Sequence, residues 1–230
     1  MQNKTPRLHA TALSVGLKIN TQKTKIISLN EKNIEQPITL KGNKIDEVEN
    51  FTYLGTNISQ DNGTSKDLMA RINKARTSFC RLRTVWKTTS ISRSTKIKIY
   101  NSNVKSVLLY GAESWRVVRS DFNKLSSFNN TCLRKICKIF WPKTISNKDL
   151  YNLILQRDIR AEIKERRWKW IDYVLRKDKD DITKIALRWT PAEGKRKRGR
   201  PKETLRRTIE SELRIIGMTW GEAEKKAQDR

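Results

Sequence analysis

The sequence predicts an α+β chain: a small β-rich segment at the N-terminus followed by a mostly α-helical region. Two observations lead there. Short apolar runs broken by turn residues fill the first 58 residues, whereas from Ser65 onward apolar residues recur three and four apart. A third observation, the charge, indicates a partner. Lys and Arg total 50 against 24 Asp and Glu, a net +26. Self-repulsion at that charge opposes compaction while polyanions are strongly attracted, so a polyphosphate backbone is expected.

At 230 residues the chain can bury a core, and seven Trp, five Tyr and five Phe favour real packing. Cys80, Cys132 and Cys137 cannot all pair, and nothing at the N-terminus resembles a signal peptide, so a reducing compartment is expected. The lone His9 lies far from the cysteines, and no metal site or other cofactor is expected for this chain. No apolar run approaches the ~20 residues of a membrane span. Neither a membrane nor a small-molecule substrate is expected as partner.

Thr5-Pro6 opens a helix in which Leu8, Ala12 and Val15 recur until Gly16. Lys25 to Leu29 reads as a strand, and Ile38-Thr39-Leu40 as a strand entering the turn Lys41 to Lys44. Phe51 to Ile58 completes the β-rich segment. Next comes one apolar helical stripe, Leu68, Ile72, Ala75, Phe79, Leu82 and Trp86. Arg71, Lys74, Arg81 and Arg83 lie off that stripe, as a basic flank able to follow a sugar-phosphate backbone.

A second helix, capped near Ser92 or Ser94, carries Ile97, Tyr100, Val104, Leu108 and Gly111. A third uses Leu125, Phe128, Cys132, Ile136 and Phe140, with Trp141-Pro142 as its stop. Ser146 caps a run containing Leu150, Leu153 and Ile154. The stretch from Asp158 to Lys177 is helical with Ile159, Ile163, Trp170 and Val174 inward and Trp168 pointing elsewhere. Asp180 and Asp181 read as helix-start acids. After residues 191–202, a helix around Leu205, Ile209, Leu213 and Ile216 ends at Gly217, and Thr219 with Glu222 forms a capping box.

Residues 191–202 form the clearest linker, with Lys195, Arg196, Lys197, Arg198, Gly199, Arg200, Pro201 and Lys202 closing it. Arg198-Gly199-Arg200-Pro201 has the form of an AT-hook, which suits the narrow minor groove of an A·T-rich duplex. The same residues make an adequate nuclear import sequence.

Two further stretches carry a resemblance. Gly16-Leu17-Lys18-Ile19-Asn20-Thr21-Gln22-Lys23, followed by Phe51-Thr52-Tyr53-Leu54-Gly55, resembles the late palm motifs of reverse transcriptases from non-LTR (LINE-type) retrotransposons. The run from Asn101 to Trp115 is similar to the thumb-region helix of their endonuclease–reverse transcriptase polyproteins, as are Arg166 to Ile171 and Gly194 to Lys202 in the tail. Departures occur at Asp172-Tyr173, where the family commonly has Gly-His, and at Leu205, where Trp is usual.

The resemblance implies a palm remnant over residues 1–58, thumb-like helices over 59–119, a helical C-terminal region over 120–190, the basic linker, and C-terminal helices over 203–230. It also implies two catalytic aspartates upstream of this chain, holding Mg²⁺ in the parent enzyme. Lys23 matches the lysine thought to protonate the departing pyrophosphate; the plainer reading is a solvated charge beside a strand. Phe51, Tyr53, Leu54 and Gly55 match the primer-grip hairpin; alternatively Phe51 and Tyr53 are core residues on one face of a half-buried strand, and burial is the reading favoured for these aromatics, while Gly55 is a turn residue under either. Trp168 either stacks on an unpaired base beside Arg166, Arg167 and Lys169 or packs between helices.

The expected function is that of a C-terminal fragment of an RNA-directed DNA polymerase that binds RNA template and DNA primer but is not itself an enzyme. Two other readings stay open: a non-enzymatic DNA- or RNA-binding protein built around the hook, or a remnant without function. Nuclear or cytoplasmic localisation is expected, with import through the basic segment.

Overall fold

The computed structural model describes residues 2–28, 37–59, 64–115, 118–189 and 205–229. It divides into two units, residues 1–70 and 71–230. The first contains α1 (Thr5–Ser14) and six short strands: β1 (Lys25–Ile26), β2 (Thr39–Leu40), β3 (Asn43–Lys44), β4 (Asp46–Glu47), β5 (Asn50–Tyr53) and β6 (Thr56–Ser59). β1 pairs parallel with β4, while β2–β3 and β5–β6 are antiparallel hairpins. The Lys25 ammonium meets the Asp46 carboxylate at 2.6 Å across the parallel pair and holds that acid below its usual range.

The core of this unit is small. Ile38, Leu40 and Ile45 are buried, with Ile19 and Ile26 packed against them. α1 buries no residue fully, and Leu8 and Val15, which share its apolar spacing, are 62% and 67% exposed. The strand expected from Lys25 to Leu29 is shorter, because Ile27 and Ser28 leave the ladder; Leu29 lies outside the described residues.

α2 (Thr64–Arg81) runs across the division, and the second unit continues with α3 (Arg83–Lys87) and α4 (Arg93–Tyr100). A π-helical turn, Asn101–Lys105, leads into α5 (Ser106–Leu108). Then follow α6 (Arg119–Ile136), α7 (Asn147–Ile154), α8 (Ile159–Leu175), α9 (Ile182–Arg188), α10 (Leu205–Ile215) and α11 (Trp220–Gln228). Leu68, Ile72, Ala75, Phe79 and Trp86 are buried as the helical period requires, while Leu82 is half-buried. Trp86 stacks on Phe79 with ring centroids 5.1 Å apart and donates its indole N–H to the Phe79 carbonyl at 2.8 Å.

Side chains cap the helix starts where the sequence places Ser, Asp and Thr. Ser92, Ser146, Asp158, Asp181 and Thr219 each accept a backbone N–H of the first turn, and Thr219 forms the full capping box with Glu222. Buried lysines close two helix ends in turn. Lys96 donates to the carbonyls of Trp86 and Thr88 after α3, and Lys184 donates to those of Leu175 and Lys177 after α8 while pairing with Glu224 at 2.7 Å. A polar network joins α4, α6 and α7. Tyr100 donates to Asn129, Asn129 to Asn130, and Tyr151 to Asn130, at 2.8 to 3.2 Å.

Two helical expectations need correction. α6 ends at Ile136, so Phe140 lies beyond the helix and is 59% exposed. Lys138 turns left-handed there (φ 56), with the N–H groups of Lys138 and Ile139 closing onto the carbonyls of Lys135 and Arg134. On α8 the inner stripe is Ile159, Ile163, Arg167, Ile171 and Val174; Trp170 is only half-buried. Trp168 and Trp170 both pack on the cluster of Ile171, Leu175, Ile209, Leu213, Ala223 and Ala227 that joins α8, α10 and α11.

Candidate nucleic-acid interface

Between Asp67 and Glu113 the chain has no acidic residue and ten Lys or Arg. The fold sorts these ten into two groups. Arg71, Lys96 and Lys105 are buried. Lys74, Arg76, Arg81, Arg83, Lys87, Arg93 and Lys98 are exposed, and none has a carboxylate partner among the described residues. Uncompensated cations on helices of one unit give a surface on which phosphates can replace missing counter-charge. Lys74 and Arg81 sit seven residues apart on α2, two helical turns along one face.

Arg71, expected on that exposed flank, is buried. Its position explains why: three residues after Leu68 and four before Ala75, it falls on the edge of the apolar stripe. The guanidinium instead lies 5.2 Å from the Tyr110 ring centroid and 5.6 Å from that of Trp115. Arg167 is also buried rather than available to a backbone phosphate. It donates to the Trp115 carbonyl at 3.1 Å and meets Glu212 at 3.4 Å; burial depresses its pKa and Glu212 offsets part of that.

Arg166 and Lys169 reach the surface but are paired, with Glu162 and Glu165 respectively at 2.8 Å. Trp168 is half-buried, and its indole N–H donates to Glu212 at 2.6 Å. Of that cluster only Lys169 stays exposed. Lys195, Arg196, Lys197, Arg198, Gly199, Arg200, Pro201 and Lys202 lie outside the described residues.

The remaining candidates belong to the first unit. Lys23 is exposed, and its backbone N–H donates to the Asn20 side chain at 3.0 Å, so Asn20 of the G-L-x-x-N segment organises the turn. In the β5–β6 hairpin Tyr53 pairs with Thr56, and the connecting Leu54 and Gly55 both have positive φ, 48° and 81°. Positive φ at both central positions gives the tight connection that matches strand twist. Phe51 is half-buried, but Tyr53 and Leu54 are 58% and 72% exposed, so the expected burial of Tyr53 is not found. The physical reason is that β5 and β6 pair only with each other, and none of their residues belongs to the small core of Ile38, Leu40 and Ile45, so among the described residues nothing covers the Tyr53 face.

Among the described residues no group of three His, Cys, Asp or Glu is placed to hold a metal ion, and no helix is long and apolar enough to cross a membrane.

Residues 78–110, from the last turn of α2 to Tyr110, match the sequence profile of a domain of unknown function, DUF6451. The match falls inside the acid-free stretch. The chain is also similar to an uncharacterized transposon-derived protein, F52C9.6, of Caenorhabditis elegans. The two are 24% identical over 205 residues, covering 81% of this chain and 69% of that protein. This similarity points to a transposable-element origin. No solved structure matches the chain.

The acid-free run was readable in the sequence as a count of charges along the chain. The basic flank recognised part of it, and Arg76, Lys87, Arg93 and Lys98 complete the exposed set.

Proposed function

We propose that this chain derives from the reverse transcriptase of a non-LTR retrotransposon and binds nucleic acid, without polymerising it, through the exposed cations of α2, α3 and α4. The observation that carries the reading is the sorting of charge in the acid-free stretch. Seven exposed cations lack a carboxylate partner among the described residues, whereas the buried ones are held by rings, helix ends or Glu162. The palm and primer-grip motifs of the sequence and the transposon-derived relative support the origin.

The test is the salt dependence of binding to template–primer duplex. For ~6–10 phosphate contacts, affinity falls about 10³–10⁵-fold between 50 and 200 mM salt. Replacing Lys74, Arg81 and Arg83 together by Glu flattens that slope, whereas the same change at Arg157, Lys169 and Lys177, which are already ion-paired, alters it far less. A flat profile for the wild-type chain sinks the proposal. Primer extension on an RNA template with Mg²⁺ or Mn²⁺ is expected to stay at the level of denatured protein.

A further inference from the structure

We propose that the turn Phe140–Lys143 is a stacking platform for an unpaired base of a single-stranded nucleic acid. Trp141 is 88% exposed and Phe140 59%. A tryptophan left this far in water forgoes the largest apolar burial any side chain offers, although Trp168, Trp170 and Trp220 of this unit pack against its cluster. The two rings are presented on a fixed loop. Lys143 N–H closes the turn on the Phe140 carbonyl at 2.9 Å, and Ile139, buried, is tied to the Arg134 carbonyl at 3.0 Å. The far side is held by the Arg134 guanidinium, which donates to the Ile145 carbonyl at 3.2 Å and to Asn147 at 2.7 Å.

The charge around the rings names the partner. Between Asp121 and Asp149 there is no acidic residue, and Lys135, Lys138, Lys143 and Lys148 are exposed without a carboxylate partner among the described residues. Lys138 and Lys143 lie three and two residues from Trp141, within ~11 Å by chain reach. Aromatic faces for bases with ammonium groups for the flanking phosphates are the two elements of sequence-tolerant single-strand binding. A lipid surface fits less well, because Ile139 turns inward and two rings alone supply little of the apolar area that interfacial anchoring requires.

The inference rests on the nucleic-acid reading above, and the test separates the two. Wild-type chain, Trp141→Ala and Trp141→Phe are titrated at one salt concentration with an oligo-dT strand, a duplex of equal length, and vesicles containing anionic lipid. Trp141→Ala is expected to lose about 5- to 150-fold in affinity for the single strand. Phe in its place retains most of the binding, duplex affinity is unchanged, and thermal unfolding is unaffected because the ring is outside the core. Equal loss on strand and duplex, or no loss on the strand while the wild type binds both, overturns this proposal alone. Absence of any polynucleotide binding by the wild type overturns both. Vesicle binding that depends on Trp141, with single-strand affinity unchanged, assigns the turn to a membrane and overturns the stacking role.

Discussion

Trp168 and Glu212 are joined by a 2.6 Å hydrogen bond from the indole N–H to the carboxylate, which fastens α8 to α10. The same carboxylate is the counter-charge of buried Arg167. Replacing Glu212 by Ala therefore removes the counter-charge of a guanidinium with 3% exposure, which keeps the Trp115 carbonyl, and takes the acceptor from the indole donor. The expected cost is about 3–5 kcal/mol, read as a fall in the urea midpoint with little change in slope. A loss below about 1 kcal/mol means that Arg167 finds water or another acceptor.

Much of this helical architecture is legible in the residues, and the failures share a cause. Stripes such as Leu68, Ile72, Ala75 and Phe79, and caps such as Ser92 and Ser146, are local, so spacing and residue type suffice to find them. Charge alone predicts exposure for Arg71 and Arg167, yet both are buried. Their positions on the helical period, four residues from Ala75 and from Ile171, already placed them on the packed face. Phe140 fits α6 by period, yet the chain turns at Lys138 through backbone bonds that no side-chain pattern announces. The candidate interface was half legible for a similar reason. Net charge pointed to polyanions, but which cations are free depends on which carboxylates the fold brings near, as with Glu162 beside Lys105 and Arg166.

Cys132 and Cys80 are expected to part in reactivity. Burial pushes the Cys132 thiol up to about 12, whereas Cys80 is exposed. Alkylation at pH 8, followed by mass spectrometry, labels Cys80 rapidly and Cys132 only after denaturant is added. The sign of the linked stability follows from the raised folded value. Below the unfolded thiol's value, near 9, both states hold the proton and nothing changes; from there to about 12 the unfolded chain loses it first, so stability falls as pH rises. Cys132→Ala removes that part of the alkaline decline, and an unchanged decline refutes the assignment.

Leu155 ends α7 in the left-handed region (φ 51) with its side chain 90% exposed. Its N–H and that of Gln156 close onto the carbonyls of Asn152 and Tyr151, an arrangement in which glycine is usual. The same closure at the end of α10 uses Gly217. Leu155→Gly removes a steric cost of about 1–2 kcal/mol and gives up almost no burial. Part of the gain returns as backbone entropy of the unfolded chain, about 0.5–1 kcal/mol. The net expectation is a small stabilisation, a rise of the denaturation midpoint; a fall shows that the Leu155 side chain contributes packing its exposure hides.

The last prediction concerns Arg198-Gly199-Arg200-Pro201, in the segment beyond the described residues. Two arginines flanking a glycine and followed by proline suit an extended chain in the narrow minor groove, where A·T tracts concentrate negative potential. On that reading, replacing Arg198 and Arg200 by Ala lowers the preference for an A·T-rich over a G·C-rich duplex, and the residual binding comes from the cations of α2, α3 and α4. As a phosphate-binding linker or import sequence, the segment reads no groove shape, and the same change weakens binding to both duplexes alike. Measuring both duplexes at one fixed salt concentration decides between them. Equal loss removes the minor-groove reading, whereas a selective loss on the A·T-rich duplex assigns these arginines to shape recognition, separate from the phosphate tracking proposed for the helical surface.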